Sequence, residues 1–172
     1  ALTLVVVPSA DDEAALAAAE ALGARLDRLV ADGRIAGYDS PARLLPSRAT
    51  QRARLGALPD AETLQAALAR ATAGGPLPAA RLQAFVDDVQ TARRTAPLAP
   101  ADLRASPLGP LLAGLLVASP EGGVSALLPV HAPPGGAVDA PAVRAAVHGV
   151  PGARWVEVGP ELSRLYRHYL RE

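Results

Sequence analysis

The chain has 172 residues, half of them apolar and only 3% aromatic, with 17 basic and 17 acidic side chains and therefore no net charge. That length supports one domain with a real core, or a small domain carrying a large insertion. Zero net charge removes any long-range pull toward nucleic acid or anionic lipid; the absence of Cys excludes disulfides, thiolate nucleophiles and Cys–zinc sites, and the absence of Lys excludes a P-loop and Schiff-base chemistry.

The β-branched run from Leu2 to Val7 predicts a buried strand stopped by Pro8. Ser9, three residues before Asp12, predicts a helix start with acid in the first turn. The helix is expected to run to about Ala31, with an apolar stripe at Leu16, Ala19, Leu22, Leu26, Leu29 and Val30. Gly33 is a natural stop. Ile35 to Tyr38 predicts a short second strand. From Ser47 to about Arg94 the pattern is helical in three pieces, broken at Leu58-Pro59-Asp60 and at Gly74-Gly75-Pro76, with Asp60 as a cap. Pro97, Pro100, Pro107 and Pro110 mark an irregular stretch.

Leu115 to Ala118 and Val124 to Val130 flank Pro120-Glu121-Gly122-Gly123 and predict a hairpin. Asp139 is expected to cap a helix with Pro141 in its first turn, ending near His148. Arg154 to Val158 predicts a last strand, and Pro160 opens a terminal helix. Its apolar stripe, Leu162, Leu165, Tyr166, Tyr169 and Leu170, suits packing on the sheet or on a partner copy, or an approach to a membrane interface. The expected class is α+β: a ferredoxin-like split β-α-β sheet with a helical insertion and a C-terminal helix. The expected division is 1–46 for the first half of the sheet domain, 47–112 for the insertion, and 113–172 for the second half with the terminal helix.

No constellation for catalysis emerges. His131, His148 and His168 lie 17 and 20 residues apart, so none forms a helical metal pair with another. No Ser stands between glycines at minus two and plus two, and no G-x-G-x-x-G occurs. The acid pairs Asp11-Asp12 and Asp87-Asp88 are adjacent, and neighbours on a helix do not share a face. The scattered arginines have few aromatics among them, which argues against a nucleic-acid surface. The expectation is a non-enzyme with no catalytic or metal-binding residue and no cofactor. The longest apolar stretch, Leu108 to Ala118, is interrupted by Pro110 and Gly114 and is too short to span a bilayer.

One segment is specific. Gly37-Tyr38-Asp39-Ser40-Pro41-Ala42-Arg43, then Leu45-Pro46-Ser47, Thr50-Gln51, Arg54 and Leu58-Pro59, resembles the periplasmic loops of predicted exporters in the MMPL-type branch of the RND transporter superfamily. The resemblance implies a porter-type domain on the periplasmic side of a bacterial inner membrane. It implies partners in the transmembrane helices and the other periplasmic loop of the same transporter, and proton-driven export of lipids or other hydrophobic molecules. The family's proton-relay carboxylates lie in membrane helices, so none is carried over. Both chain ends then read as cuts within a longer protein, with a mature chain after signal removal as the alternative.

Read locally, Gly37, Tyr38, Asp39, Ser40 and Pro41 form a turn joining sheet to insertion. Asp39 and Ser40 can bond nearby backbone N–H groups, Pro41 fixes the exit, and Ser47 can cap the next helix. A hydrophobic substrate would need large apolar side chains; Phe85, beside Leu82, Val86 and Val89, and Trp155, at the start of the last strand, are the groove candidates, with ordinary core as the plainer expectation for both. The other function class is a free-standing ferredoxin-like module that binds a small ligand or regulates, and a hydrolase is the remote third.

Overall fold

The computed structural model describes residues 3–119 and 122–159. The chain is a mixed α+β protein with a five-stranded antiparallel sheet, and it divides into two compact units. The first holds the sheet and comprises residues 3–47 and everything described from Ala99 onward; the second is Arg48–Leu98.

In the first unit, β1 (Thr3–Ser9) alternates: Thr3, Val5 and Val7 are buried, while Leu4 and Val6 are half-buried. That period of two is what a strand covered on one face requires. β1 lies between β4 (Val124–His131) and β5 (Arg154–Glu157), and β4 pairs on its other side with β2 (Gly37–Tyr38) and β3 (Leu116–Ala118). The order is β2-β4-β1-β5, with β3 against β4 on the same side as β2.

Pro8 does not stop β1, contrary to the sequence expectation: it pairs with Ser125. The reason lies in the neighbours. β5 reaches only Thr3–Val6, so at Pro8 one side of β1 has no strand and a missing N–H costs little. Pro129 in β4 falls between the positions paired with β2 (130–131) and β3 (124–126), and what it offers on that side is its carbonyl, which accepts from the Asp39 N–H.

The helix α1 (Asp12–Ala31) is capped by Asp11, whose carboxylate accepts from the Ala14 N–H at 2.8 Å; Ser9, the expected start, remains in the strand. Gly33, at φ +70°, ends the helix as expected. Leu16, Ala19, Leu22 and Leu26 are fully buried and pack on Val5, Val7, Ala126 and Leu128 together with Val143 and Val147 of α8 (Ala140–His148). Each such buried Leu or Val contributes roughly 1.5–3 kcal/mol. α8 begins as anticipated, with Asp139 accepting from Ala142 N–H and Pro141 in the first turn. Short helices α2 (Pro41–Leu44), α6 (Pro100–Arg104) and α7 (Gly109–Leu115) complete the unit, and Leu103 and Leu112 join its core. The insertion is therefore narrower than the expected 47–112, because α6 and α7 belong with the sheet.

The second unit contains α3 (Arg48–Gly56), α4 (Ala61–Thr72), a 3-10 turn (Ala79–Leu82) and α5 (Gln83–Arg94). These are the three predicted helical pieces. Asp60 caps α4 through the Thr63 N–H at 2.8 Å. The Gln51 side chain closes the unit on itself: its amide donates to the Leu98 carbonyl at 3.0 Å and accepts from the Leu98 N–H at 2.8 Å. Ala is the commonest residue here, and Val86 is the one buried residue among residues 48–98. The predicted terminal helix after Pro160, with Tyr166 and Tyr169, lies outside the described residues.

Candidate functional site

The turn after β2 is built around Tyr38. Its ring is buried (4% exposed), and its hydroxyl lies 3.0 Å from the Gly23 carbonyl oxygen and 2.8 Å from Asp27 Oδ1. Both are acceptors, so one phenolic proton is shared between them. The Arg43 guanidinium stacks over the ring, 4.1 Å from its centroid, and donates to the Tyr38 carbonyl (2.9 Å) and to Asp27 (3.3 Å). Burial, then the Asp27 hydrogen bond, raises the Tyr38 pKa above its ordinary 10.0. The cluster locks the end of the sheet edge to α1.

The remaining motif residues serve the same turn. Gly37 pairs with His131 across the β2–β4 ladder. Ser40 caps α2, accepting from Ala42 N–H at 3.3 Å, and Pro41 takes the first helical position and is buried. Asp39 differs from expectation: its side chain turns to His131, 2.9 Å from Nε2, while its N–H donates to the Pro129 carbonyl. Ser47 is buried, and both its N–H and its hydroxyl donate to the Glu20 carboxylate, each at 2.8 Å. The His131–Asp39 pair is more than half exposed on both sides. No serine hydroxyl hydrogen-bonds that imidazole among the described residues, and they contain no cluster of three His or acidic side chains able to hold a metal. The contacts shown are those of a hydrogen-bonded turn held against α1.

The two groove candidates belong to separate units. Phe85 on α5 is 49% exposed rather than core. Val86, one position on and about 100° around the helix, faces inward instead. Val86 lines a cleft of about 250 Å³ between α4, the 3-10 turn and α5, with Leu68, Ala69, Ala79 and Ala80 as its other apolar walls. Gln65 and Gln83 complete the lining; Gln65 Nε2 donates to Gln83 Oε1 at 3.2 Å. Small alanine side chains leave this space open. Sequence reasoning missed it, since Phe85 drew attention through its size, whereas the cleft exists through the smallness of its neighbours.

Trp155 is half-buried against the sheet core, opposite Val5 in the β1–β5 ladder. Its indole N–H donates to Glu157 Oε1 at 2.9 Å, and Arg144 donates to the same oxygen at 3.3 Å. Glu157 thus ties β5 to α8 through Arg144, and the Trp155 indole holds that carboxylate from within the strand. Comparison with family models, characterised proteins and solved structures returns no match for this chain.

Proposed function

We propose that this chain is a periplasmic, porter-type domain of a proton-driven inner-membrane exporter of the MMPL-type branch of the RND superfamily. In this reading it shapes the path of a lipid or another hydrophobic molecule and performs no chemistry itself. The observation that supports it most is the register of β1 against β5: Thr3 stands opposite Glu157. Cross-strand partners lie about 5 Å apart, so the chain enters and leaves the sheet side by side. That arrangement suits a domain suspended between two consecutive membrane helices. The connectivity agrees with it. We read β1-α1-β2 and β4-α8-β5, with the sheet order β2-β4-β1-β5, as a split β-α-β, ferredoxin-like plan, with β3 as an addition to its edge.

The cleft beside Gln65 and Gln83 favours a second reading, a free-standing ferredoxin-like module that binds a small ligand. The coding sequence on either side separates the two. The exporter reading expects a membrane span shortly before Leu2 and another shortly after Glu172. A start codon and a stop codon at those places would overturn it in favour of the module.

A further inference from the structure

The segment from Ala105 to Ser119 carries no charged residue. It contains α7, whose sequence Gly-Pro-Leu-Leu-Ala-Gly-Leu has no polar side chain at all. A helix apolar all round is normally covered all round. Here Gly109 and Leu112 face the core, while Pro110, Leu111, Ala113 and Gly114 face outward. Leu108 and Leu111 are 48% and 53% exposed, and Val117 in the following strand is 40% exposed. Leu108, Leu111 and Leu115 recur at helical spacing and so share one side.

The strand that follows is an unprotected edge. Ser119 N–H donates to the Gly123 carbonyl, and Leu116 and Ala118 pair with Ala126 and Val124. In an antiparallel ladder bonded and non-bonded pairs alternate, so Val117 and Ser119 direct their backbone groups toward β4, and Leu116 and Ala118 direct theirs away. The Leu116 N–H is taken by the Leu112 carbonyl. The Ala118 N–H and C=O and the Leu116 C=O meet no strand among the described residues. Charges commonly guard such edges. The opposite edge has them, with Arg154 and Glu157 in β5, and β2 runs directly into Asp39; β3 has none.

We propose that this α7–β3 edge is a self-association surface on which a second copy of the chain docks about a two-fold axis. β3 lies antiparallel to its counterpart. Ala118 of each copy donates to and accepts from Ala118 of the other, and Leu108 and Leu111 of both copies cover one another. Two features of the chain select a like copy. An uncharged surface complements itself, and a chain of zero net charge does not repel its twin. Pro120 follows immediately and has no N–H to continue the pairing, so the edge suits a short, closed, two-fold contact and not an extending sheet. The inference is independent of the exporter reading.

Sedimentation velocity and light scattering on the 172-residue chain across the micromolar range test it. The expected result is a monomer–dimer equilibrium that Leu111→Arg weakens at least about tenfold, a change of about 1.4 kcal/mol. Ala118→Pro is expected to do the same, because the N–H it deletes points away from β4 and an edge strand tolerates proline at such a position. Association of the folded chain itself raises the melting temperature, so melting is compared at a concentration where wild type too is monomeric. Both variants should match wild type there, and the two act on different atoms, so one intact variant suffices. A wild-type chain that stays monomeric throughout, or a dimer indifferent to both substitutions, would overturn the proposal. So would monomeric wild-type chain that co-sediments with phosphatidylethanolamine–phosphatidylglycerol vesicles through Leu111, which would assign the patch to a lipid surface.

Discussion

A Cβ added at Gly23 would come within 2.9 Å of the Tyr38 hydroxyl, the same oxygen that rests 3.0 Å from the Gly23 carbonyl. Gly23 lies inside α1, where Ala would ordinarily gain about 1 kcal/mol. The ring cannot swing aside freely, since Arg43 covers it and Asp27 holds its hydroxyl. Gly23→Ala is therefore expected to destabilise, with crowding of about 1–3 kcal/mol outweighing the helix gain. In a Tyr38→Phe background the clashing atom is gone, and the same substitution should become neutral or stabilising. Urea unfolding of the four proteins of this cycle reads the change of sign; two backgrounds giving the same ΔΔG would sink the idea.

Tyr38 also sets an upper pH limit. Its folded pKa is raised, so the folded state holds the proton more tightly than the unfolded chain does. The associated stability is fully present below pH 10 and declines as pH rises through the higher folded value. Melting temperature measured from pH 8 to 11, as a range bracketing the ordinary tyrosine value, should fall more steeply in wild type than in Tyr38→Phe. Equal slopes would remove Tyr38 as the cause.

Asp60 works in the opposite direction. The Thr63 N–H, bonded to its carboxylate, holds the Asp60 pKa below its ordinary 3.8. Its cap contribution is present above that value and is lost as pH falls through the lower folded one. Helical ellipticity in acid should decline less in Asp60→Asn, which still caps when uncharged, than in wild type. An unchanged acid profile in Asp60→Asn would contradict this.

Phe85 and Trp155 should separate cleanly. Phe85 is half-exposed, so Phe85→Ala is expected to shift stability by no more than about 0.5 kcal/mol. Trp155 joins the core from β5, and Trp155→Ala should be clearly destabilising, though less than the roughly 3–5 kcal/mol of a fully buried aromatic. If the exporter reading holds, loss of export in Phe85→Ala at unchanged melting marks a substrate-facing residue. Normal export by Phe85→Ala ends its candidacy.

Where local chemistry decides structure, the sequence was legible. Asp60 and Asp139 as caps, Gly33 as a stop and the hairpin between Leu116–Ala118 and β4 follow from residue type and spacing, and the structure has them. Where neighbours decide, it was not. Pro8 stays in its strand only because β5 ends at its pairing with Val6, a fact about pairing that no local pattern contains. Asp39 turns to His131, 92 residues away, instead of to its own turn. Gln51 stood in a recognisable motif, but its clamp depends on Leu98, 47 positions along the chain, folding back to it. The cleft and the bare edge at β3 are properties of what is missing around Ala69, Ala79 and Ala118, and a pattern search weights what is present.

The adjacency of Thr3 and Glu157 has a mechanical side. Force applied to the two ends of this sheet, drawing them apart, loads the β1–β5 ladder one rung at a time from that end, like a zipper, and not all rungs together in shear. Trp155 and Glu157 carry the ties from β5 to the core and to Arg144, and they sit at the first rungs. Separation of the two attachment points would peel β5 at low force and leave β1 clamped by β4. Movement of both points together would carry the sheet as one body. In a force-extension trace, a handle pair at these ends should give an early, small first step that Trp155→Ala moves lower still, followed by a larger one for the β1–β4 core.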